Sequence, residues 1–417
     1  MRRVLGIVAV VAAAATSAGC WWQPGGNANR SGHNGVESVI GLESAPALTE
    51  VWTAPGRTST PVVVGSRVFS VQGSVAARNV TTGALLWETN HPMGDALEGF
   101  YDGAEVLASG GSPRSGFTVF ELDAATGQGR GGGLTGYRLQ ALRGSTRAGQ
   151  SFPDPTFPVR LSTLYLADVD VPVRNWSAVM LAGQDAPAYP PPTIGSADVF
   201  AAGTGLVSTD PTSLATGLSL RAYPLDQAPA PCATYDDGGG FPVIYACPRF
   251  ATPLAGTVAT APVLSDDLST VFVGTDAGVV YAVEVASGAV VWTADVESPV
   301  TADPAVADGA LLVPTASSGL VALSADGCGA STCGVDWTTA SSAAVVRQPA
   351  AAGGAVWAAT EDGALAAYPT GGCGTAVCDP VWQVDLGASF TAPLAIGSGR
   401  LFATVDGTMH VFAPSPG

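Results

Sequence analysis

The amino-acid sequence predicts an all-β fold: eight blades of four antiparallel strands each, closed into a ring by a strand from the N-terminal region. Three observations predict it. Quartets of short β-rich runs recur along the chain. A glycine opening the third run of each quartet recurs with a period of about 44 residues. The last quartet lacks its fourth run, and Leu48-Thr49-Glu50-Val51-Trp52 supplies an orphan one near the start.

One quartet reads Thr60–Val64, Arg67–Val71, Gly73–Ala77 and Gly83–Trp87. Another reads Ala261–Leu264, Thr270–Gly274, Gly278–Ala282 and Gly288–Trp292. Gly, Asp and Ser separate the runs, which reads as strands joined by hairpins. Asp362-Gly363 and Asp406-Gly407 fall at the second turn, where two-residue hairpins favour Asp-Gly. The marking glycines are Gly73, Gly116, Gly217, Gly278, Gly319, Gly363 and Gly407. The gap from 116 to 217 is about two periods. A degenerate unit fits there, with Leu164–Ala167 as its second strand and Trp176–Leu181 as its third. That gives eight blades, with seven left open by the stretch 117–215. Radial closure is expected because it leaves only short, protected strand edges.

Composition narrows the chemistry. Gly 53 and Pro 31 are about a fifth of 417 residues, which suits many tight turns. Every one of the 17 basic residues is arginine. Without lysine, Schiff-base catalysis and a P-loop are excluded. A formal net charge of −17 argues against nucleic acid as a partner. Residues 251–417 hold fifteen acidic residues against Arg347 and Arg400. Residues 128–160 reverse the sign, with Arg130, Arg138, Arg143, Arg147 and Arg160 against Asp154. Gly131-Gly132-Gly133 and Pro153-Asp154-Pro155 mark that stretch as loop. Arg130, Arg138, Arg143 and Arg147 form a candidate patch for an anionic partner, weighed against an ordinary solvated loop.

Arg2-Arg3, the apolar run Val4–Ala15 and the small residues Thr16 to Gly19 read as a secretory signal over 1–19. Ala18-Gly19-Cys20 resembles the lipobox of bacterial lipoproteins, with Ser17 where that family usually carries Leu. The resemblance implies lipidation of Cys20, and two acyl chains suffice for stable anchoring. Residues 20–47 then read as a polar, lipid-anchored tether and 48–417 as the ring. Export implies oxidation, so the other six cysteines are expected in three local disulfides: Cys232/Cys247, Cys328/Cys333 and Cys373/Cys378. The histidines, His33, His91 and His410, lie away from these pairs, which disfavours zinc. Each pair falls shortly before a fourth strand, which marks a structural device.

Ala77-Arg78-Asn79-Val80-Thr81-Thr82-Gly83-Ala84-Leu85-Leu86-Trp87 resembles the quinoprotein-type (PQQ-like) repeat, Ala-x-Asp-x-x-Thr-Gly-x-x-x-Trp. Ala282 to Trp292 matches with Glu284 and Ser287, and Asp123, Thr126 and Gly127 match without the Trp. Trp22-Gln23-Pro24-Gly25 through Arg30-Ser31-Gly32 looks like the lead-in of such proteins. The resemblance implies an eight-bladed β-propeller with Trp52, Trp87, Trp292, Trp337 and Trp382 docking between blades. At family level it extends to the propeller lipoproteins of outer-membrane protein assembly.

Quinoprotein dehydrogenases share the repeat and use Ca²⁺, a catalytic Asp and often two adjacent cysteines. This chain has no adjacent cysteines, and the repeat itself reports packing only. Hydrolase elbow, zincin and haem motifs do not occur. Asp276, Asp362 and Asp406 occupy one repeated turn and read as turn chemistry, weighed against a weak cation site lining one mouth of the ring. The expectation is a monomeric, non-enzymatic lipoprotein on the outer face of the bacterial cell membrane. It needs no cofactor or metal and binds an envelope protein or polymer through its loops. Two other classes fit the same residues: a quinone/Ca²⁺-dependent dehydrogenase, and a sensor of sugars or wall fragments.

Overall fold

The structure, a computed structural model, describes residues 20–415 apart from 57–58, 72, 90–95, 102–103, 113–115, 136–137, 151–160, 169–175, 182–189, 207–215, 227–230 and 237–241. The described residues form eight sheets, each built around four antiparallel strands, which run in sequence order from the axis outward in all but the closing blade. Blade 1 is Val62–Val64, Arg67–Val71, Val75–Asn79 and Leu85–Glu88. Blade 2 is Ala96–Tyr101, Glu105–Ser112, Gly116–Asp123 and Gly129–Thr135. Blade 3 is Arg138–Arg143, Thr146–Gln150, Leu161–Asp168 and Trp176–Leu181. Blade 4 is Thr193–Ile194, Asp198–Leu206, Thr216–Pro224 and Phe250–Pro253. Blade 5 is Val263–Leu264, Thr270–Gly274, Val279–Glu284 and Val290–Asp295. Blade 6 is Ala305–Ala307, Ala310–Pro314, Leu320–Ser324 and Trp337–Thr339. Blade 7 is Ala350–Ala352, Ala355–Ala359, Ala364–Pro369 and Trp382–Asp385.

Blade 8 joins the two ends. Ala395–Gly397, Arg400–Val405 and Thr408–Pro414 come from the C-terminal end, and Leu48–Pro55 is the fourth strand. It runs antiparallel from Leu48↔Pro414 to Pro55↔Thr408, with one irregularity between Glu50 and Trp52. The expected closure and the count of eight are both present.

Inner strands crowd around the axis, so small side chains serve there: Ala305–Ala307 and Ala350–Ala352 are buried throughout. Phe69, Phe272 and Phe402 lie one strand further out and are fully buried between blades. Two of the period-marking glycines have a steric cause. Gly319 has φ +64°, and a Cβ there would lie 2.1 Å from Thr339 Oγ1 and 2.3 Å from Ser341 O. At Gly363, φ +94°, it would lie 2.8 Å from Ala388 N. A left-handed turn packed against the next connection leaves room for glycine alone.

Blade 3 departs from the sequence reading. Leu164–Ala167 lies in its third strand rather than its second, and Trp176–Leu181 is the fourth rather than the third. The two inner strands come from the arginine-rich stretch read as loop, which also supplies the outer strand of blade 2. Gly131, Gly132 and Gly133 pair with Glu121, Phe120 and Val119 as ordinary ladder residues. A bulge between Leu139 and Ala141 buries Leu139, Ala141 and Leu142 together and erases the alternation that would mark a strand.

Candidate functional site: a plugged channel and a strapped rim

The lead-in runs across one mouth of the ring and engages every blade. Trp21 exchanges backbone hydrogen bonds with Val63 of blade 1, at 2.8 and 2.9 Å. Trp22 and Gln23 lie against Gly99 of blade 2, where a Cβ would sit 3.1 Å from Trp22 O. Gln23 donates from Nε2 to Leu142 O of blade 3 and accepts from Leu142 N. Arg143 links Asn29 Oδ1 to Ile194 O of blade 4. Asn29 O, Ser31 O and Gly32 O accept from Leu264, Val306 and Ala351, in the inner strands of blades 5, 6 and 7. Asn34 Nδ2 donates to Ile396 O of blade 8. Glu37 accepts from Gly399 N and from the N–H groups of Ser38, Val39 and Ile40.

These contacts correct the reading of 20–47 as a tether. Trp21 and Ile40 are fully buried, and Gln23, Arg30, Asn34 and Glu37 are buried polar residues. A polar sequence looks like a linker, yet here its polarity answers the backbone groups that inner strands would otherwise leave unpaired at the axis. Cys20 begins this plug, buried and free, and its carbonyl accepts from Asn34 Nδ2. Burial pushes its thiol pKa up, while a backbone hydrogen bond involving Gly65 works against this.

One ion pair crosses the channel. Arg30, φ +57°, sends its guanidinium to Gln140 O of blade 3 and to Asp303 Oδ2, at 3.2 Å, ahead of blade 6. Asp303 Oδ1 accepts from Ala261 N. Gln348 Nε2 donates to Arg30 O and Pro304 O. Such a pair fixes geometry more than it adds net stability.

Between blades, an aromatic on the outer strands of blades 1, 4, 5, 6, 7 and 8 sits against the next blade, whereas the outer strand of blade 2 carries none. Trp52 lies over Gly83, Trp87 over Gly127, Trp292 over Gly327 and Trp337 over Gly372, with a Cβ on each glycine falling 2.4–2.7 Å from the ring. Trp52 Nε1 donates to Val80 O, Trp87 Nε1 to Ala124 O and Trp382 Nε1 to Leu48 O. Phe250 takes the same place over Gly288. Beside it, Arg249 pairs with both oxygens of Asp198 and bonds the carbonyls of Val285 and Ala286, a latch the sequence reading missed.

Cys328–Cys333 and Cys373–Cys378 are disulfides, and Cys247 is disulfide-bonded as well. The side chain of Cys232, its expected partner, lies outside the described residues. The cysteine insertions have a second property. Each lies between the third and fourth strands of its own blade and reaches back to pair in parallel with the outer strand of the preceding one. Pro242–Ala246 pairs Tyr245 with Val179 of blade 3. Thr332 bridges Thr293 of blade 5. Val377–Cys378 pairs with Thr338 and Thr339 of blade 6. Straps of this kind cover exposed edges.

Of the arginine patch, Arg130 pairs with Asp123 and Glu105, and Arg147 pairs with Glu121. Arg143 is held by Ile194 and Asn29, and burial lowers its pKa. The side chain of Arg138 lies outside the described residues. Asp123 is pulled down to about 2, first by the Thr126 hydroxyl and then by Arg130. Asp276 is held below its ordinary value: burial opposes this, but hydrogen bonds from Thr257 and Val258 prevail. Asp362 caps its own turn through Thr360. His410 bonds Glu50 across the closing strand pair at 2.7 Å, and His91 lies outside the described residues.

The described residues contain no group of three His, Cys, Asp or Glu side chains suited to a metal. Arg30 and Asp303 are spent on each other, Glu37 is taken up by backbone N–H groups, and Arg143 by Asn29 and Ile194. Among the described residues this donor set does not fit a calcium–quinone pair, and no step through one follows from it.

A family model described as outer membrane protein assembly factor BamB matches residues 249–328, from the outer strand of blade 4 to Cys328. No curated protein sequence matches the chain. Among solved structures, BamB from Moraxella catarrhalis is similar with a TM-score of 0.59 at 13% identity, over 88% of this chain and 99% of that one. The quinohemoprotein alcohol dehydrogenase of Comamonas testosteroni gives 0.63 at 12% identity, over 97% and 83%. The computationally designed Ika8 protein gives 0.57 at 13% identity, over 87% and 98%. An assembly factor, a dehydrogenase and a designed protein share this architecture, so it selects no activity. The chain is a PQQ-like eight-bladed propeller that resembles BamB and the quinoprotein dehydrogenases in fold.

Proposed function

We propose that the protein is a non-enzymatic scaffold of the bacterial cell envelope, exported, lipidated on Cys20, and binding an envelope protein or polymer through its loops. The observation that carries this reading is the plug. The lead-in occupies one mouth of the channel, engages all eight blades and places a self-neutralised Arg30–Asp303 pair at the axis. Among the described residues, what stays accessible is rim and loop. The disulfides suit an oxidising compartment, and the BamB-like match over 249–328 supports an envelope setting.

Reconstitution with pyrroloquinoline quinone and Ca²⁺ followed by dye reduction tests the non-enzymatic part. Absent turnover is expected, and robust turnover overturns it. Metabolic labelling with a fatty acid tests the anchor. Label on the wild type and none on Cys20→Ala is expected, and label that survives Cys20→Ala contradicts it. Cross-linking in native membranes tests the partner. A single envelope component recovered in stoichiometric amount is expected, and none recovered sinks the scaffold reading.

A further inference from the structure

The straps show what the outer edge of a blade accepts. On blade 5, Thr293 donates its N–H to Ser331 O, and Cys333 N donates to Thr293 O. On blade 6, Thr338 donates to Ala376 O and Ala340 to Cys378 O. Thr293 and Thr338 each directly follow the docking tryptophan, and Trp292 and Trp337 pair with Ala282 and Ala322. Trp87 pairs with Ala77 in the same way, so Glu88 holds the equivalent place on blade 1. Its N–H and C=O point outward at the same height. The turn of the next blade, Ala124–Gln128, is short and packs under Trp87 instead of reaching back. Among the described residues no strand pairs with this edge, and Leu85 and Leu86 on it are 49% and 47% exposed. Val290 and Val291 of the strapped blade 5 are exposed too, so the argument rests on the register of the outward N–H, which Gln383 of blade 7 shares, together with the exposed Glu88 carboxylate.

We propose that the outer edge of blade 1, Leu85–Glu88, takes an extended segment of a partner protein as an added parallel strand, in the register of the intrachain straps. Backbone pairing supplies the affinity in this mode of recognition, and side chains supply selectivity. In a chain of net charge −17, with Glu88 exposed on the edge, the fitting segment carries small or apolar residues and at least one basic side chain. The inference rests on the scaffold reading but moves the contact from loops to a blade edge.

The test uses the full mature chain and a disulfide-closed peptide copying residues 372–381 with Asp379→Arg. Saturable shifts of the amide signals of residues 86–89 are expected at about 1 mM peptide, the effective concentration that a short linker gives an intrachain strap. Added exchange protection at the Glu88 amide is expected with them. Glu88→Pro removes the outward donor together with the carboxylate that accepts from Ser74, so binding should vanish, while Glu88→Gln keeps the donor and should weaken binding only in part. Should that variant fail to fold, Leu86→Arg guards the edge with a charge and should abolish binding equally. No saturable shift in the wild type, or shifts unchanged in the variant that folds, overturns the proposal. Those failures leave the scaffold reading standing, because dye reduction and membrane cross-linking judge it separately.

Discussion

Trp21 offers the sharpest distinction between a plug and a tether. Its side chain is 1% exposed and packs in the cluster that joins Val63, Trp357 and Phe402. Removing a buried Trp side chain costs about 3–5 kcal/mol through lost transfer energy and the cavity left behind. The backbone pairing with Val63 needs no side chain, so Trp21→Ala isolates the packing. With a slope of about 3 kcal/mol per molar urea, the unfolding midpoint should fall by about 1–1.7 M. Trp21 Nε1 is buried without a hydrogen-bond partner, so Trp21→Phe loses no bond and should recover most of the difference. Urea unfolding followed by far-UV circular dichroism and by intrinsic fluorescence reads both variants. A Trp21→Ala midpoint within about 0.2 M of wild type, about 0.6 kcal/mol at that slope, would refute the packing argument and restore a loose lead-in.

Other expectations follow from single features. Asp303→Ala leaves Arg30 charged and buried, and should lower stability by about 3 kcal/mol, with Arg30→Met/Asp303→Ala recovering part of it; calorimetry of the two variants decides. Removing the Cys328–Cys333 bridge, which spans five residues, should cost about 2 kcal/mol by chain entropy, read as a lower midpoint in Cys328→Ser/Cys333→Ser. Asp123 titrates near 2 in the folded chain, against 3.8 ordinarily. Its folded pKa is depressed, so its contribution is complete above the unfolded value and is lost as pH falls through about 2. Carboxyl NMR titration should show this, and Thr126→Ala should raise the value.

The ring was legible because its causes are local and repeated. Gly319 and Gly363 are forced by a left-handed turn under close contact, and each recurrence restates the period. The orphan strand ending in Trp52 was legible because one quartet lacked a member. Blade 3 was misread because a bulge at Leu139/Ala141 and a glycine run at 131–133 remove the two-residue alternation. The lead-in was misread for a different reason. Gln23, Asn29, Asn34 and Glu37 look like linker residues in one dimension. Only the closed ring, bringing Leu142, Leu264, Ile396 and Gly399 to one axis, gives them partners. The straps share that origin: a cysteine loop reads as a local clip until the preceding blade is in place.

Joining Thr53 to His410 tests ring closure most directly, because the two are cross-strand partners between opposite ends of the chain. In antiparallel pairs such residues bring their Cα atoms to roughly 4.5–5.5 Å, within disulfide reach. The double variant Thr53→Cys/His410→Cys, purified folded and exposed to mild oxidant, should form this bond nearly quantitatively without changing its elution volume. Mass mapping would find it between the first and last blade segments. If both thiols stayed free under conditions that preserve the native disulfides, the ring would not be closed as described.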